Sequence, residues 1–324
     1  MNPDKSCHRI SEYGLASPKR SEGGWIILNK PSGMTSRAAG SRVARMFGFK
    51  KFGHLGTLDP MASGVLPIAL GEATKMIPYL ENRKSGVGSR ESFEKEYLFS
   101  ICRGIETDTW DITGNIVKTT PDSRLPTYEQ LSAACAKFVG DIEQVPPAYS
   151  AVHVNGRRAY ELARKGIAFE MPKRKVKIYS LICDDVGFFR VCCSPGTYVR
   201  SLARDIAKEC GSLATCCTIG RMRTHGFSIE NTETLDFLEN LYNNDPRSVA
   251  EYLKPIDFGL DDILVTELNE NDAKVFKNGG FIQLAISNEQ LAIDNLRRVY
   301  SNERFIGIGE IENGMLKPRR VINQ

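Results

Sequence analysis

One carboxylate, Asp59, lies in a run of glycine, proline and small residues that is typical of a loop built to present a reactive side chain. Glycine allows another backbone to approach closely, and Pro60 restricts the chain directly after Asp59. An Asx turn, with Asp59 capping the turn that follows, is the simpler interpretation of the Leu-Asp-Pro sequence alone. From these residues by themselves, both interpretations stay open.

Three segments around this loop resemble the catalytic region of the TruB family of tRNA pseudouridine synthases. They are LNKPSGMTS at 28–36, GHLGTLDPMASGVLP at 53–67 and LGEATKM at 70–76. The resemblance implies that Asp59 is catalytic and that the protein isomerises uridine 55 in the T loop of tRNA to pseudouridine. Asp59 then acts as the nucleophile or helps to form a ribose intermediate, and the sequence does not separate these routes.

Two further motifs supply the expected partners of Asp59. A buried carboxylate needs a counter-ion, and Arg200 lies in CSPGTYVRSL, which resembles the family motif CSxGTYIRSL, whose arginine pairs with the catalytic aspartate. Tyr97, in the sequence Lys95-Glu96-Tyr97, matches the family's KxY element, which implies that it stacks on the target base. Without the resemblance, Arg200 is predicted on a helix surface and Tyr97 in the core.

The same resemblance implies further residues that bind the substrate. His54 matches the histidine that fills space in the refolded T loop, and Lys30 and Tyr198 match residues that support the site. Ile219 is expected in the apolar wall around the flipped base. The match is weaker there, because IGRMRTHGF departs from the family's LRRTxxGxF at three positions.

A basic segment is the candidate RNA-binding surface. Residues 157–177 contain eight Lys or Arg against two Glu, although the whole chain carries a net charge of only +4. Such a stripe suits phosphates, and a solvated helix face explains the charge equally well. The resemblance implies that the insertion at about 141–180 folds over the T arm of tRNA, and the expected contact residues are Arg157, Arg158, Lys173, Arg174 and Lys175.

Composition limits the class of protein. The 324 residues are 25% charged and 41% hydrophobic, and no apolar run is long enough for a membrane helix. Nine cysteines without CxxC spacing favour buried thiols in a reducing cytoplasm over a disulfide framework or a zinc site. No phosphate-binding loop, dinucleotide motif or metal-ligand spacing is present, so no cofactor or metal is expected. We expect a cytoplasmic monomer.

The elements around these motifs indicate a mixed α+β protein. Strands are predicted at 25–28, 96–101 and 188–193, and helices at 37–47, 127–138 and 200–210. Ser36 is the predicted N-cap of the first helix, Gly48 its end and Gly211 the end of the last. The resemblance implies the pseudouridine synthase fold, a mixed antiparallel sheet with flanking helices.

Two domains follow from composition shifts along the chain. We predict a disordered tail at 1–23, a catalytic domain at 24–249 and a second domain at 250–324. The second domain is short, punctuated by glycine and β-rich, and is similar to a PUA-type RNA-binding barrel. The segment 81–93, rich in Ser and Gly, is longer than usual for the family and is predicted to be mobile.

Two alternative functions belong to other classes. One is an RNA-binding or tRNA-folding protein without turnover, although binding alone does not require Asp59, Tyr97 and Arg200 together. The other is a pseudouridine synthase directed to ribosomal RNA by a guide RNA and partner proteins. The compact C-terminal region favours the stand-alone tRNA enzyme, whose partner is the T stem-loop and which needs no protein partner.

Overall fold

The computed structural model describes residues 22–81, 95–284 and 295–323. The described helices are α1 (Ser36–Met46), α2 (Ile77–Glu81), α3 (Tyr128–Lys137), α4 (Ala159–Arg164), α5 (Val199–Glu209), α6 (Leu235–Asn244) and α7 (Glu270–Lys277). The described strands are β1 (Gly23–Lys30), β2 (Phe52–His54), β3 (Ser63–Gly71), β4 (Lys95–Arg103), β5 (Ile105–Thr107), β6 (Ile116–Thr119), β7 (Gly140–Gln144), β8 (His153–Val154), β9 (Arg157–Arg158), β10 (Arg174–Asp185), β11 (Phe188–Cys193), β12 (Ala214–Thr224), β13 (Phe227–Ser228), β14 (Glu233–Thr234), β15 (Val265–Glu267), β16 (Ile282–Gln283), β17 (Leu296–Ser301), β18 (Arg304–Glu312) and β19 (Met315–Val321).

The larger sheet has the strand order β14-β1-β3-β12-β4-β11-β10-β7, with β2 added to β3 and β13 added to β12. The β1–β14 and β3–β12 pairs are parallel, and the other pairs are antiparallel. This topology confirms the predicted mixed antiparallel sheet. It also makes β12 and β4 neighbours at the centre, so residues more than a hundred positions apart in sequence meet there.

Helices α1, α3 and α5 cover one face of this sheet. Their apolar residues join the same core as Tyr97 and Phe99 of β4 and Val191 of β11. In α5, Leu202 and Ile206 are completely buried, which fixes the helix against the sheet. The first turn of α5 therefore has a defined position, and this turn carries Arg200.

The predicted helices are present, with one correction at α1. Thr35, not Ser36, is the N-cap, because the Thr35 side chain accepts a hydrogen bond from the Ala38 amide. Ser36 is the first helical residue, and its hydroxyl instead bonds both backbone groups of Leu58. Gly48 follows the helix with φ +76°, as its predicted role requires. The Ser36 hydroxyl thus joins α1 to the Asp59 loop.

A second, five-stranded sheet with the order β15-β17-β18-β19-β16 forms the C-terminal part. It confirms the predicted small β-rich region. Strand β1 begins at Gly23, one residue before the predicted start of the catalytic domain. Residues 1–21 of the predicted tail and 82–93 of the predicted mobile segment lie outside the described residues.

Buried thiols were predicted in preference to a disulfide framework, and one pair of cysteines differs from that prediction. Cys102 of β4 and Cys217 of β12 form a disulfide. Their strands are neighbours, and their Cα atoms are 5.8 Å apart, within the range that a disulfide spans. Adjacency of these strands comes from the sheet topology and could not be seen in cysteine spacing. Cys135 and Cys216 are buried free thiols.

Candidate active site

The Asp59 loop connects β2 to β3 and is fixed by the turn between β1 and α1. The Gly33 amide donates to the Pro60 carbonyl at 2.9 Å, and the Ala62 amide donates to the Asp59 carbonyl at 3.0 Å. Ser36 adds its two bonds to Leu58. Backbone bonds on both sides of Asp59 therefore hold its carboxylate in one place.

Asp59 forms an ion pair with Arg200. Arg200 Nε lies 2.9 Å from Asp59 Oδ2, and the Arg200 side chain is 3% exposed whereas that of Asp59 is 36% exposed. The contact is close by distance, but the Nε–H group is not aligned for a hydrogen bond. Burial raises the pKa of Asp59 above its ordinary value, and the Arg200 guanidinium opposes that rise. The predicted partners thus lie together.

Arg200 has a second carboxylate partner, Asp111, that the sequence analysis missed. Arg200 Nη1 donates to Asp111 Oδ2 at 3.1 Å and to the Thr109 carbonyl at 3.0 Å. Asp111 Oδ1 accepts from the Thr109 hydroxyl at 2.9 Å and from the Thr113 amide at 3.0 Å. In the sequence, the high density of Thr and Asp residues in this turn was the feature that could have indicated Asp111. Arg200 therefore bridges two carboxylates on different loops.

Tyr97 and Asp59 line the same cavity of about 270 Å³. Tyr198, Arg200 and Ile219 line it too, so five of the predicted site residues meet there. Tyr97 is 7% exposed, and burial raises its pKa to about 12, which keeps the phenol protonated at neutral pH. The cavity thus combines a carboxylate, an aromatic ring and an apolar wall, which are the groups that a flipped nucleotide requires.

Lys30 is completely buried next to the Asp59 loop. Its ammonium donates to the carbonyl groups of Pro31 at 2.8 Å, Met34 at 2.7 Å and Pro60 at 3.4 Å. Burial lowers the pKa of Lys30 to about 8, and the charge of Asp59 opposes this effect. This position suits the predicted supporting role, since the ammonium holds the loop next to Asp59.

His54 lies on β2, at the start of the Asp59 loop. Its Nδ1 is buried and has no hydrogen-bond partner among the described residues. Burial, reinforced by the charge of Arg221, lowers the pKa of His54 below its ordinary value, which favours a neutral imidazole. Its contact with RNA stays a prediction.

Two cations near Asp59 have positions that sequence analysis did not predict. Arg221 is completely buried, and its guanidinium donates to the carbonyl groups of Val65 and Gly56, each at 2.8 Å. Lys95 lines the Asp59 cavity, and burial lowers its pKa to about 8. Both residues lie inside the quoted motifs, but no sequence feature separates them from surface cations.

The predicted basic residues are all exposed. Arg157 and Arg158 form β9, Lys173 precedes β10, and Arg174 and Lys175 begin it. Strand β10 pairs with β7 at the edge of the large sheet. The last residue of β7, Gln144, bonds the backbone of Tyr198 through both atoms of its amide, which joins this edge to the cavity.

No group of three His, Cys, Asp or Glu side chains is placed to hold a metal ion within the described part of the chain. No helix there has the length and apolar character needed to cross a membrane.

Comparisons with known proteins identify the family. The model of the TruB family pseudouridylate synthase N-terminal domain matches residues 44–199, and that of the pseudouridine synthase II TruB C-terminal domain matches residues 265–322. The tRNA pseudouridine synthase B of Caulobacter vibrioides is 40% identical over 309 residues, covering 92% of this chain and 95% of that protein. That of Bradyrhizobium diazoefficiens is 37% identical, covering 100% and 92%.

Solved structures support the fold alone. The chain is similar to one in a Cbf5-Nop10-Gar1 complex, with a TM-score of 0.63 and 20% identity, over 99% of this chain and 92% of the other. A chain in an H/ACA RNP bound to a substrate RNA containing 2'-deoxyuridine gives a TM-score of 0.62 at 19% identity, over 94% and 86%. Family models, relatives and fold agree, and this chain belongs to the TruB family of pseudouridine synthases.

Proposed function

We propose that the protein isomerises uridine 55 in the T loop of tRNA to pseudouridine, with Asp59 as the nucleophile. One observation carries the proposal. The Asp59 carboxylate meets Arg200 at 2.9 Å beside a cavity that Tyr97 also lines. The names of the relatives, tRNA pseudouridine synthase B, support tRNA as the substrate and an isomerase as the class of enzyme.

The chemistry uses only groups of the protein and of the RNA. An oxygen of Asp59 bonds to ribose C1′ as the C1′–N1 bond breaks, and the electron pair of that bond leaves with the uracil. The uracil rotates, C5 bonds to C1′, and the bond from Asp59 to C1′ breaks with its electrons returning to the carboxylate. The C5 proton is lost, and N1 gains a proton. Arg200 holds the carboxylate, and Tyr97 provides the face on which the base stacks.

The T stem-loop is the proposed partner, and the exposed basic residues of β9 and β10 are its proposed contacts. Their positions suit this role because Gln144 connects the β7–β10 edge to Tyr198 in the cavity wall. Phosphates that follow this edge would lead the flipped nucleotide toward Asp59. We further propose that the protein acts as a monomer in the cytoplasm, without a cofactor, a guide RNA or a protein partner.

Asp59→Asn tests the central proposal. The variant keeps the size of the side chain but removes the nucleophile, so turnover is expected to be abolished while tRNA affinity is kept. The measurement is tritium release from an unmodified tRNA transcript labelled at uridine C5, with no guide RNA present. A filter-binding assay supplies the affinity.

Asp236→Asn is the matched control, since Asp236 is exposed in the first turn of α6. It is expected to release tritium like the wild type. Pseudouridine formation by the Asp59→Asn protein would refute the proposed mechanism. Tight tRNA binding without any release by the wild type would support the RNA-folding alternative.

A further inference from the structure

A cation without a described counter-ion lies in the Asp59 cavity. Lys95 begins β4, two residues before Tyr97, so both side chains leave the strand on the same face. Lys95, Tyr97 and Asp59 all line the same cavity. No carboxylate in the described parts of the chain lies within ion-pair distance of the Lys95 ammonium. This cation is therefore available to a ligand in the cavity.

The neighbourhood of Lys95 makes its charge costly. A Cβ atom on Gly56 would lie 2.9 Å from Arg221 Nη1 and 3.4 Å from Lys95 Nζ, so two cations flank the same glycine. Arg221 Nη1 has no hydrogen-bond partner among the described residues. Burial and the repulsion from Arg221 lower the pKa of Lys95 to about 8, which leaves the ammonium mostly protonated at neutral pH.

The other cations around the cavity already have partners. Arg200 contacts the carboxylates of Asp59 and Asp111, and Lys30 bonds three backbone carbonyl groups. Asp59 and Asp111 both contact Arg200, and the more distant Glu81 opposes the fall in the Lys95 pKa without forming an ion pair with it. Four cationic side chains therefore still outnumber the carboxylates, and the site favours a further negative charge. A buried charge without a partner is expensive, and an apolar side chain would fill the same space at lower cost. Such a charge indicates function more than packing.

The proposed reaction creates a negative charge in this cavity. When the C1′–N1 bond breaks, its electron pair moves to the uracil and spreads over N1, O2 and O4. This charge is absent in the bound uridine and present while the base is detached. The ammonium of Lys95, which lines the cavity with Tyr97, is placed to stabilise it, and a group that acts only at this stage increases the rate of the chemical step.

We propose that Lys95 is a further catalytic residue, whose ammonium stabilises the negative charge on the detached uracil. This inference rests on the proposed pseudouridine synthase activity. Lys95 lines the cavity together with Tyr97, which places it near the base. Contact with a backbone phosphate is the competing role, and the experiment below separates the two.

The test compares Lys95→Met and Lys95→Arg with the wild type in single-turnover reactions. One tRNA carries uridine at the target position, and a second, made by ligation, carries 5-fluorouridine there. Fluorine withdraws electrons and makes the base a better leaving group, so it needs less help from a cation. Nucleoside analysis measures the loss of the target base, and filter binding at two salt concentrations measures tRNA affinity.

Lys95→Met is expected to slow conversion of uridine about 100-fold with unchanged tRNA affinity, and Lys95→Arg is expected to recover part of the rate. With 5-fluorouridine the deficit of Lys95→Met is expected to be about 10-fold smaller. Lys137→Met is the control, because Lys137 is exposed and pairs with Glu209 away from the cavity. It is expected to match the wild type on both substrates.

Three results would overturn the inference. They are wild-type rates for Lys95→Met, equal deficits on both substrates, and a weaker tRNA affinity with a smaller salt dependence, which would identify a phosphate contact. Thermal unfolding confirms that each variant is folded. Failure of the wild type to convert either tRNA would instead refute the proposed function, so the two failures are distinguishable.

Discussion

The charge of Lys95 leads to a second, independent prediction, which concerns the free energy of unfolding of the protein. Its pKa is lowered from 10.5 in a free side chain to about 8, so below pH 8 the folded protein bears the full cost of this charge. Lys95→Met removes the charge and keeps the apolar stem. We expect this variant to have a larger free energy of unfolding than the wild type at neutral pH, measured by urea denaturation.

The pH dependence provides the control. Between about pH 8 and pH 10.5 the folded protein releases the Lys95 proton, whereas the unfolded chain keeps it. The unfolded state then binds more protons, so wild-type stability rises with pH in this range and the advantage of Lys95→Met shrinks. A variant that is less stable than the wild type at neutral pH would show that the ammonium has a favourable partner in the folded protein.

Part of the site could be predicted from sequence, and the limit is physical. Asp59 and Arg200 lie in long ordered motifs, and their contact was predicted because an ionised carboxylate in a pocket needs a counter-ion and because the family motif that Arg200 matches implies this pairing. Asp111 was missed because it lies in a turn 89 positions away from Arg200 in the sequence, and no local pattern indicates their contact. Lys95 and Arg221 were missed because only the sheet topology, with β4 between β11 and β12, brings them to the Asp59 loop.

At the scale of single elements, local rules worked where the signal is local. The strand at 188–193 has its predicted bounds, and the predicted helix at 127–138 is found as α3, with Thr127 as its N-cap and Gln130 completing a capping box. The cap of α1 was misplaced because Thr35 and Ser36 are both good caps, and the choice depends on Leu58, which takes the Ser36 hydroxyl. Strand order in the sheet had no signal in the sequence.

The exposed basic residues at the start of β10 lead to a prediction about tRNA affinity. Arg174 and Lys175 are exposed and pair with β7 only through their backbone, so Arg174→Gln with Lys175→Gln removes charge without disturbing the core. If these side chains bind phosphates, tRNA affinity falls. The slope of log affinity against log salt also decreases by about 0.7 to 0.9 for each phosphate that the variant no longer neutralises. The rate at saturating tRNA is expected to stay unchanged.

Salt-dependent filter binding measures both quantities, and Lys137→Gln on the exposed side of α3 is the matched control. Its salt slope is expected to equal that of the wild type. An unchanged slope in the double variant would support the competing interpretation of the basic segment, a solvated surface that does not touch RNA.

On the scale of the whole molecule, the two sheets are joined by a shared core. Trp25 and Ile27 of β1 pack in the same cluster as Phe305 and Ile308 of β18. The indole of Trp25 also donates to the Ile256 carbonyl at 2.8 Å. The composition of the chain predicted two domains but did not indicate that they share a core. In the sequence, β1 and β18 each look like an ordinary buried strand. The domain boundary near residue 250 stays a proposal.

Because the two sheets share a core, we expect a destabilising substitution in one sheet to increase the opening of the other. Phe305 is 8% exposed within the shared cluster, whereas Phe276 is fully buried in a separate cluster confined to the C-terminal sheet and α7. Each Phe→Ala change is expected to cost about 3 to 5 kcal/mol. Hydrogen exchange measured by mass spectrometry should become faster in both β1 and β18 for Phe305→Ala. For Phe276→Ala it should become faster in the C-terminal strands alone.

The two variants have similar chemistry and burial, so a difference between them reports the path by which packing couples the sheets. Faster exchange in β1 for Phe305→Ala but not for Phe276→Ala would show that the shared cluster carries the coupling. Unchanged exchange of β1 in both variants would mean that the sheets open independently. The C-terminal sheet would then be free to move relative to the Asp59 cavity, and its position could not contribute to a fixed surface for tRNA.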